Sequence, residues 1–462
     1  MKNNIKTITF AIISLLTFNS CNDDFLETTP NNKLVIDKVY KTSKDFDVAV
    51  IGCYSKLQTQ VDFYTEFSEF RSDNLMLTAP TTGTQDRYDI DHFVDRPSNG
   101  LLSKYWAIFN NNVYRCNLIL DRIDQANFDE SLKKQYKAEA MFVRALVYFN
   151  MYRVWGGVPV TRKVVTPSEA LKIKRSTDDE MLKFIAGDLK MIIDDNMLPE
   201  KYDNVNVGRA TSGAARALLG KVYLTFHKNT EAVNVLTPLV NKYQLLENPL
   251  DIFDVNNKTN DEIIFSVRFN KDILNEGHNY WFHITNRKDE NYQVPSLKYL
   301  YTDEDKRKPL LLYEQAEKRV YLMNKFMDVR NEAYKQVGND KILIRYADVL
   351  LSLAEALNEI SYSEESIKYL NEVRVRAGLE VLTTSELSNQ ELIKKMILDE
   401  RHREFPYEGH RWFDLVRMGY AKQIMKKAQD IDIKDYQLLF PIPQSEIEKI
   451  NDNKILWQNP GY

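Results

Sequence analysis

The sequence predicts a mainly α-helical protein: helices paired across tight turns form a scaffold, and a less regular, loop-rich half is inserted among them. Three observations predict this. Apolar residues recur three and four apart over long stretches. Alanines gather where two helices have to approach closely, and two aromatic-rich segments without helical period separate the periodic ones.

Thr42-Ser43-Lys44-Asp45 reads as a capping box that opens a helix through Val48, Ile51, Tyr54 and Leu57, at about 40–60. Tyr105, Ile108, Phe109, Val113, Cys116 and Leu120 mark a second, at about 103–125. A third, over 132–155, sets Ala140, Val143, Val147 and Met151 on one face. It stops at Trp155-Gly156-Gly157-Val158-Pro159, where glycine and proline forbid continuation. A fourth spans 177–196. An alanine-rich helix from Thr211 and a partner ending at Tyr243 form a pair over 210–243. A last pair, over 342–378, has Ile342–Ile360 and Ser363–Ala377 joined by Ser361 and Tyr362 and closed by Gly378. Ala138, Ala140 and Ala145, then Ala214, Ala215 and Ala217, then Ala347, Ala354 and Ala356 suit close helix contacts. The arrangement is similar to tetratricopeptide pairs, without a strict repeat of about 34 residues. Between the pairs lie the irregular segments 61–101 and 248–339, in which Asp261–Arg268 reads as a strand. Their aromatics argue for order.

The 462 residues carry a formal net charge of −4 with Lys and Arg scattered, so no nucleic-acid partner is expected. At the start, a basic Met1–Lys6 precedes an apolar run from Ile8 to Phe18 that is too short to span a bilayer. Residues 1–20 read as a secretory signal, and Cys21 after Ser20 resembles the lipidated cysteine of a bacterial lipobox. Residues 21–32 are acidic and turn-prone, the pattern of a flexible tether, and 33–462 form a single domain. The acidic stretch after Cys21 resembles the signal that sends Bacteroidetes lipoproteins to the outer face of the outer membrane. Cys53 and Cys116 fall on expected helices, where a cysteine is a small buried apolar residue; a disulfide between them is the alternative in an oxidising compartment.

The densest chemistry lies at 398–419, with Glu400, Glu404, Glu408 and Asp414 beside His402 and His410. Its spacing does not suit catalysis. Glu400 and Glu404 are one turn apart among Arg401, Arg403 and Arg411, so an ionised structural network is expected, with no raised pKa for a general acid. No metal-binding signature accompanies the two histidines.

Glu400-Arg401, Glu404-Phe405, Glu408-Gly409 and Arg411-Trp412-Phe413-Asp414-Leu415-Val416-Arg417 resemble the signature of the SusD/RagB family of surface nutrient-binding lipoproteins. Four further blocks in order extend the resemblance: Glu139–Phe149 with Gly156–Pro159, Gly208–Thr211 with Ala217–Leu224, Ile344–Ala356 with Asn371–Gly378, and Leu439–Ile447 with Gln458–Tyr462. The resemblance implies tetratricopeptide-like pairs and an irregular half that carries the ligand surface. It also implies a location at the outer membrane, facing the exterior, and a partner, a TonB-dependent (SusC-like) transporter barrel. The implied ligand is an oligosaccharide or, in some members, a peptide, and no catalysis on it is implied; the residues themselves mark no cofactor or metal site, and calcium is left open.

Sugar rings stack their CH faces on aromatics, so ligand contacts are sought where aromatics on loops adjoin short polar side chains. One loop offers Tyr64 and Phe67 with Arg71, Asp73 and Asn74; Arg71–Asn74 also resembles a family block near the binding face. The other offers Tyr280 and Trp281 with Tyr292, and Trp281 is the leading single candidate. Trp106, Trp155 and Trp412 sit in helical blocks and read as core, and His278 and His283 as polar surface. A surface glycosidase remains a competing reading, but no carboxylate pair at about 5–9.5 Å is identifiable from spacing.

Overall fold

The computed structural model describes residues 39–80, 82–278, 292–293, 296–297, 300–311, 313–315, 320–322, 325–326, 328, 331 and 333–462. The leader, Cys21 and the tether lie outside the described residues. Helix α1 (Ser43–Gln58) opens on its capping box: the Asp45 amide donates to Thr42 Oγ1 and the Thr42 amide to the Asp45 carboxylate. Its Phe46, Val50, Cys53 and Leu57 face inward. A short α2 (Val61–Tyr64) runs into a π turn over Thr65–Glu69, followed by β1 (Met76–Leu77) and α3 (Gln85–Asp91).

Next come α4 (Gly100–Leu120) and α5 (Glu130–Trp155), which is buried on all sides from Ala138 to Met151. It is an interior helix whose buried Glu139 and Arg144 are ion-paired with Arg209 and Asp188, and it packs against α1, α4 and α7 (Asp178–Asp194). It ends at Gly156, whose φ of +70° suits glycine. At Gly157 a Cβ would stand 1.8 Å from the Ser176 carbonyl oxygen. Beyond this stop, a short α6 (Pro167–Ala170) precedes Arg175, which donates to the Gly157, Trp155 and Trp457 carbonyls and ties the end of α5 to the C-terminal segment.

Helices α8 (Ser212–Thr225) and α9 (Asn229–Leu236) form a tight pair, because Gly220 leaves room for Leu236 and Ala214, Ala215 and Ala217 are buried. Strand β2 (Ile263–Val267) follows, then β3 (Tyr292–Gln293), α10 (Lys308–Leu311) and a hairpin of β4 (Tyr313–Gln315) with β5 (Val320–Leu322). β2 pairs antiparallel with β6 (Lys341–Arg345). Helix was expected from Ile342, but the chain stays extended until Tyr346. Lys341–Arg345 is a short run buried on both faces, and helical period cannot tell such a run from a strand.

Helices α11 (Tyr346–Ile360) and α12 (Glu364–Arg376) pair across a short turn. They are followed by α13 (Gln390–Glu404), α14 (Arg411–Arg417), α15 (Ala421–Gln429) and α16 (Gln444–Ile450). Trp106, Trp155 and Trp412 are core residues, and Cys53 and Cys116 are buried free thiols on the packed helices α1 and α4. No helix among the described residues is long and apolar enough to cross a membrane.

Candidate functional site

The first expected ligand loop is interior. Tyr64 is buried, and its hydroxyl accepts from Asn150 Nδ2 at 3.0 Å. Phe67 lies among Phe63, Tyr105 and Phe440 at centroid distances of 5.4, 5.5 and 4.9 Å. Arg71 makes a two-point ion pair with Asp95 at 2.6 and 2.7 Å, donates to the Ile90 and Gln437 carbonyls, and stacks on Phe93 at 3.6 Å. Asp73 is gripped by Arg411 at 2.7 and 2.9 Å, and Asn74 joins Glu69 to His402. Solvent reaches none of these five side chains appreciably, and apart from Arg71 Nε their polar groups are answered from within. The structure therefore gives them a supporting role in place of direct ligand contact. The reason is the block at 405–412: the Tyr407 and Gly409 amides donate to buried Glu69, and Gly409, at φ +89°, has no Cβ to strike Tyr64.

The two irregular segments do meet. β1 pairs antiparallel with β3, so that Leu77 faces Tyr292, and Ser296 Oγ donates to the Asp73 carbonyl at 2.7 Å. Tyr280 and Trp281, with His283, lie outside the described residues. His278 is buried, its Nε2 2.7 Å from the Asn339 carbonyl, and not surface as expected. Beside β1, α3 presents a pair the sequence reading missed. The rings of Tyr88 and His92 stack at 3.8 Å and are half-buried, with Arg96 exposed nearby. Their spacing of four along one helix was the available signal.

Glu400, Glu404, Glu408 and Asp414 are locked by arginine. Arg307 Nη1 donates to Glu400 and Glu404 at 2.7 Å each. Arg345 Nη1 reaches Glu404 at 2.5 Å and Glu262 at 2.8 Å, while its other two nitrogens hold Glu408. Arg376 joins Glu262 and Glu404, Arg401 bridges Asp348 and Asp414, and Arg417 bridges Glu355 and Asp414. Burial pushes the Glu404 carboxyl up, yet Arg376, Arg345 and Arg307 outweigh it and hold it well below the carboxylate range. A general acid needs the opposite. Of the three arginines expected to neutralise Glu400 and Glu404, only Arg403 does so, at 3.3 Å to Glu400. Arg401 and Arg411 serve other acids. The missing cations come from β6, α12 and the segment before α10, at sequence distances no local pattern displays.

A cavity of about 600 Å³ opens between the 200–213 turn, the start of α8, residues 239–244 and β2 with its flanks. None of the expected site residues lines it. Its walls depend on two glycines: a Cβ on Gly208, at φ +99°, would meet Arg268 Cγ at 2.8 Å, and one on Gly213 would meet Tyr243 Oη at 2.0 Å. The sequence reading held Gly208–Thr211 as part of a family block before a helix and not as the wall of a cavity.

The SusD family model matches residues 267–462, and a SusD-like family model described as "Starch-binding associating with outer membrane" matches 24–224. The SusD-like protein P2 of Formosa agariphila is 27% identical over 521 aligned positions, covering 98% of this chain and 99% of its own. A SusD-like protein of Bacteroides ovatus is 28% identical over 229 positions, 47% of this chain and 39% of its own. Among solved structures, a laminarin-binding SusD-like protein superposes with a TM-score of 0.77 at 24% identity, covering 92% of this chain and all of that one. Surface glycan-binding protein A from Bacteroides thetaiotaomicron gives 0.77 at 20% identity, with 91% and 99% covered. These structures share the fold. The two family models take in both the N-terminal helix pairs and the arginine-locked block, and the chain belongs to the SusD family.

Proposed function

We propose that this chain is a non-catalytic lipoprotein, anchored through Cys21 on the exterior face of the outer membrane, that captures oligosaccharide and passes it to a TonB-dependent barrel. The pairing of β1 with β3 carries the reading. It joins β1, which packs on α3 and its Tyr88–His92 pair, to β3, which carries Tyr292; Tyr280 and Trp281, candidates from the sequence, lie outside the described residues. Aromatic faces beside polar groups suit sugar rings. The names of relatives, one of them a laminarin-binding protein, support a glycan over a peptide.

A glycan array on the protein lacking residues 1–21 tests this. Glycan capture lost in Trp281→Ala is the expected result. Binding of peptides alone, untouched by that substitution, would favour the peptide-capturing alternative, and conversion of the bound glycan to product would overturn the non-catalytic reading.

A further inference from the structure

The cavity beside α8 has no part in the surface described around β1 and β3, and its lining has a distinct character. Six cations line it, Lys201, Arg209, Arg216, Lys242, Lys258 and Arg268, against two carboxylates, Glu200 and Asp261. Several of these charges are answered. Glu200 holds Lys242, Asp47 and Glu139 hold Arg209 from behind the wall, and Lys258 and Arg268 share the single carboxylate of Asp340. The side chains of Lys201 and Arg216 form no direct ion pair or hydrogen bond among the described residues; Arg216, half-buried, lies near enough to Glu200 to help lower its carboxyl, and Lys201 is exposed at the mouth. Counting Asp47, Glu139 and Asp340 behind the walls with Glu200 and Asp261 in the lining, six cations face five carboxylates, so the cavity keeps an excess of one positive charge. The N-terminal end of α8, with Thr211, Ser212 and Gly213 in the lining, adds the positive end of a helix dipole.

The remainder of the lining suits a saccharide better than a bare anion. Tyr202 and Tyr243 are half-buried and offer ring faces, and Asn204 and Gln244 offer amides at the exposed rim. A volume of about 600 Å³ falls within the range of about 300–1,000 Å³ typical of small-ligand sites. We propose that this cleft is a second carbohydrate site, selective for an acidic oligosaccharide carrying carboxylate or sulfate groups. Lys201 and Arg216 meet the acidic groups while Tyr202 and Tyr243 take the sugar faces. The inference rests on the oligosaccharide reading above, and it adds both a place and a charge class to it.

The test is titration calorimetry on the full-length lipoprotein in detergent with three probes: a tetragalacturonate for carboxylate, a sulfated galactan tetrasaccharide for sulfate, and a neutral glucan hexasaccharide. The expected result is binding of one or both acidic probes that weakens about tenfold between about 50 and 500 mM salt. The Lys201→Ala/Arg216→Ala double variant should weaken it at least tenfold while leaving the neutral probe unchanged. Asn204→Glu, which adds a negative charge at the exposed rim of the lining, should weaken only the acidic probes and guards against a misfolded double variant. Acidic binding that ignores both variants would overturn the proposal, as would neutral binding with no acidic binding, which leaves the oligosaccharide reading standing. Failure of all three probes would remove both.

Discussion

Arg345 grips Glu408 with two parallel hydrogen bonds, Nε to Oε2 at 2.8 Å and Nη2 to Oε1 at 2.9 Å. Both side chains are buried, and Lys325 closes on the same carboxylate at 2.5 Å. Removing one partner of a buried pair leaves the other charge without compensation. Glu408→Gln should therefore cost about 3–5 kcal/mol, read as a lower urea midpoint. Burial raises the Glu408 pKa, but Arg345 and Lys325 overcome it and bring it to about 2. Its contribution is present above the ordinary glutamate value of about 4.3 and lost as pH falls through about 2. The variant should lose that acid dependence.

His402 is held neutral. Burial, helped by Arg411, takes its pKa down to about 3, and its Nε2 donates to Asn74 Oδ1 at 2.7 Å. The unfolded chain protonates near 6.5, so between about 6.5 and 3 it binds more protons than the fold and stability falls with pH, by at most about 1.4 kcal/mol per unit. His278, lowered to about 4 by burial, adds to this slope over the upper part of the window. Denaturant midpoints from pH 7 to 4 should show it, and His402→Gln should flatten it; an unchanged slope would contradict the assignment.

Asp91 has the opposite sign. Burial raises its pKa to about 8, its Oδ2 accepts from the Leu77 amide at 2.6 Å, and its Oδ1 is buried with no hydrogen-bond partner among the described residues. The fold keeps a proton that the unfolded chain gives up near 3.9, so the stability this group contributes is lost as pH rises toward 8. Asp91→Asn should be more stable than wild type at pH 8 and gain nothing at pH 4, which thermal melts at the two values would reveal.

Gly157→Ala should yield little folded protein. The added Cβ meets a backbone oxygen at 1.8 Å, and that backbone, unlike the far end of a side chain, has no room to move. Soluble expression with native circular dichroism would refute this.

Cys21→Ser should abolish stable retention at the cell surface while leaving the fold and glycan affinity of the mature domain intact. Fractionation of cells together with calorimetry on the released protein checks both halves; weakened affinity would count against a purely anchoring role.

Helices were legible where a cap and a period agreed. Thr42 with Asp45 and Thr177 with Glu180 both form capping boxes in the structure. The start of the last pair was misjudged because Lys341–Arg345 is apolar between its two charges and buried on both faces, which erases the alternation that marks a strand. The ligand loop at Tyr64–Asn74 misled for a related reason. Aromatics beside polar residues describe a binding surface, and equally a core in which Glu69, Arg71 and Asp73 find partners more than 300 residues away, as the pairing of Asp73 with Arg411 shows. The cleft beside α8 was invisible because its cations come from four separate stretches, none of them a basic run.

The ion pairs joining Glu262, Arg307, Arg345, Arg376 and Glu404 have a consequence for how the chain acquires its structure. These five residues come from five stretches of sequence, and any one of them brought out of water without its partners is a bare charge in a medium of low dielectric. A half-assembled core is thus worse than an unassembled one. The network thus couples the paired helices to the strands and loops, and the irregular half, which has the weakest local preferences, shares the stability of the scaffold it joins.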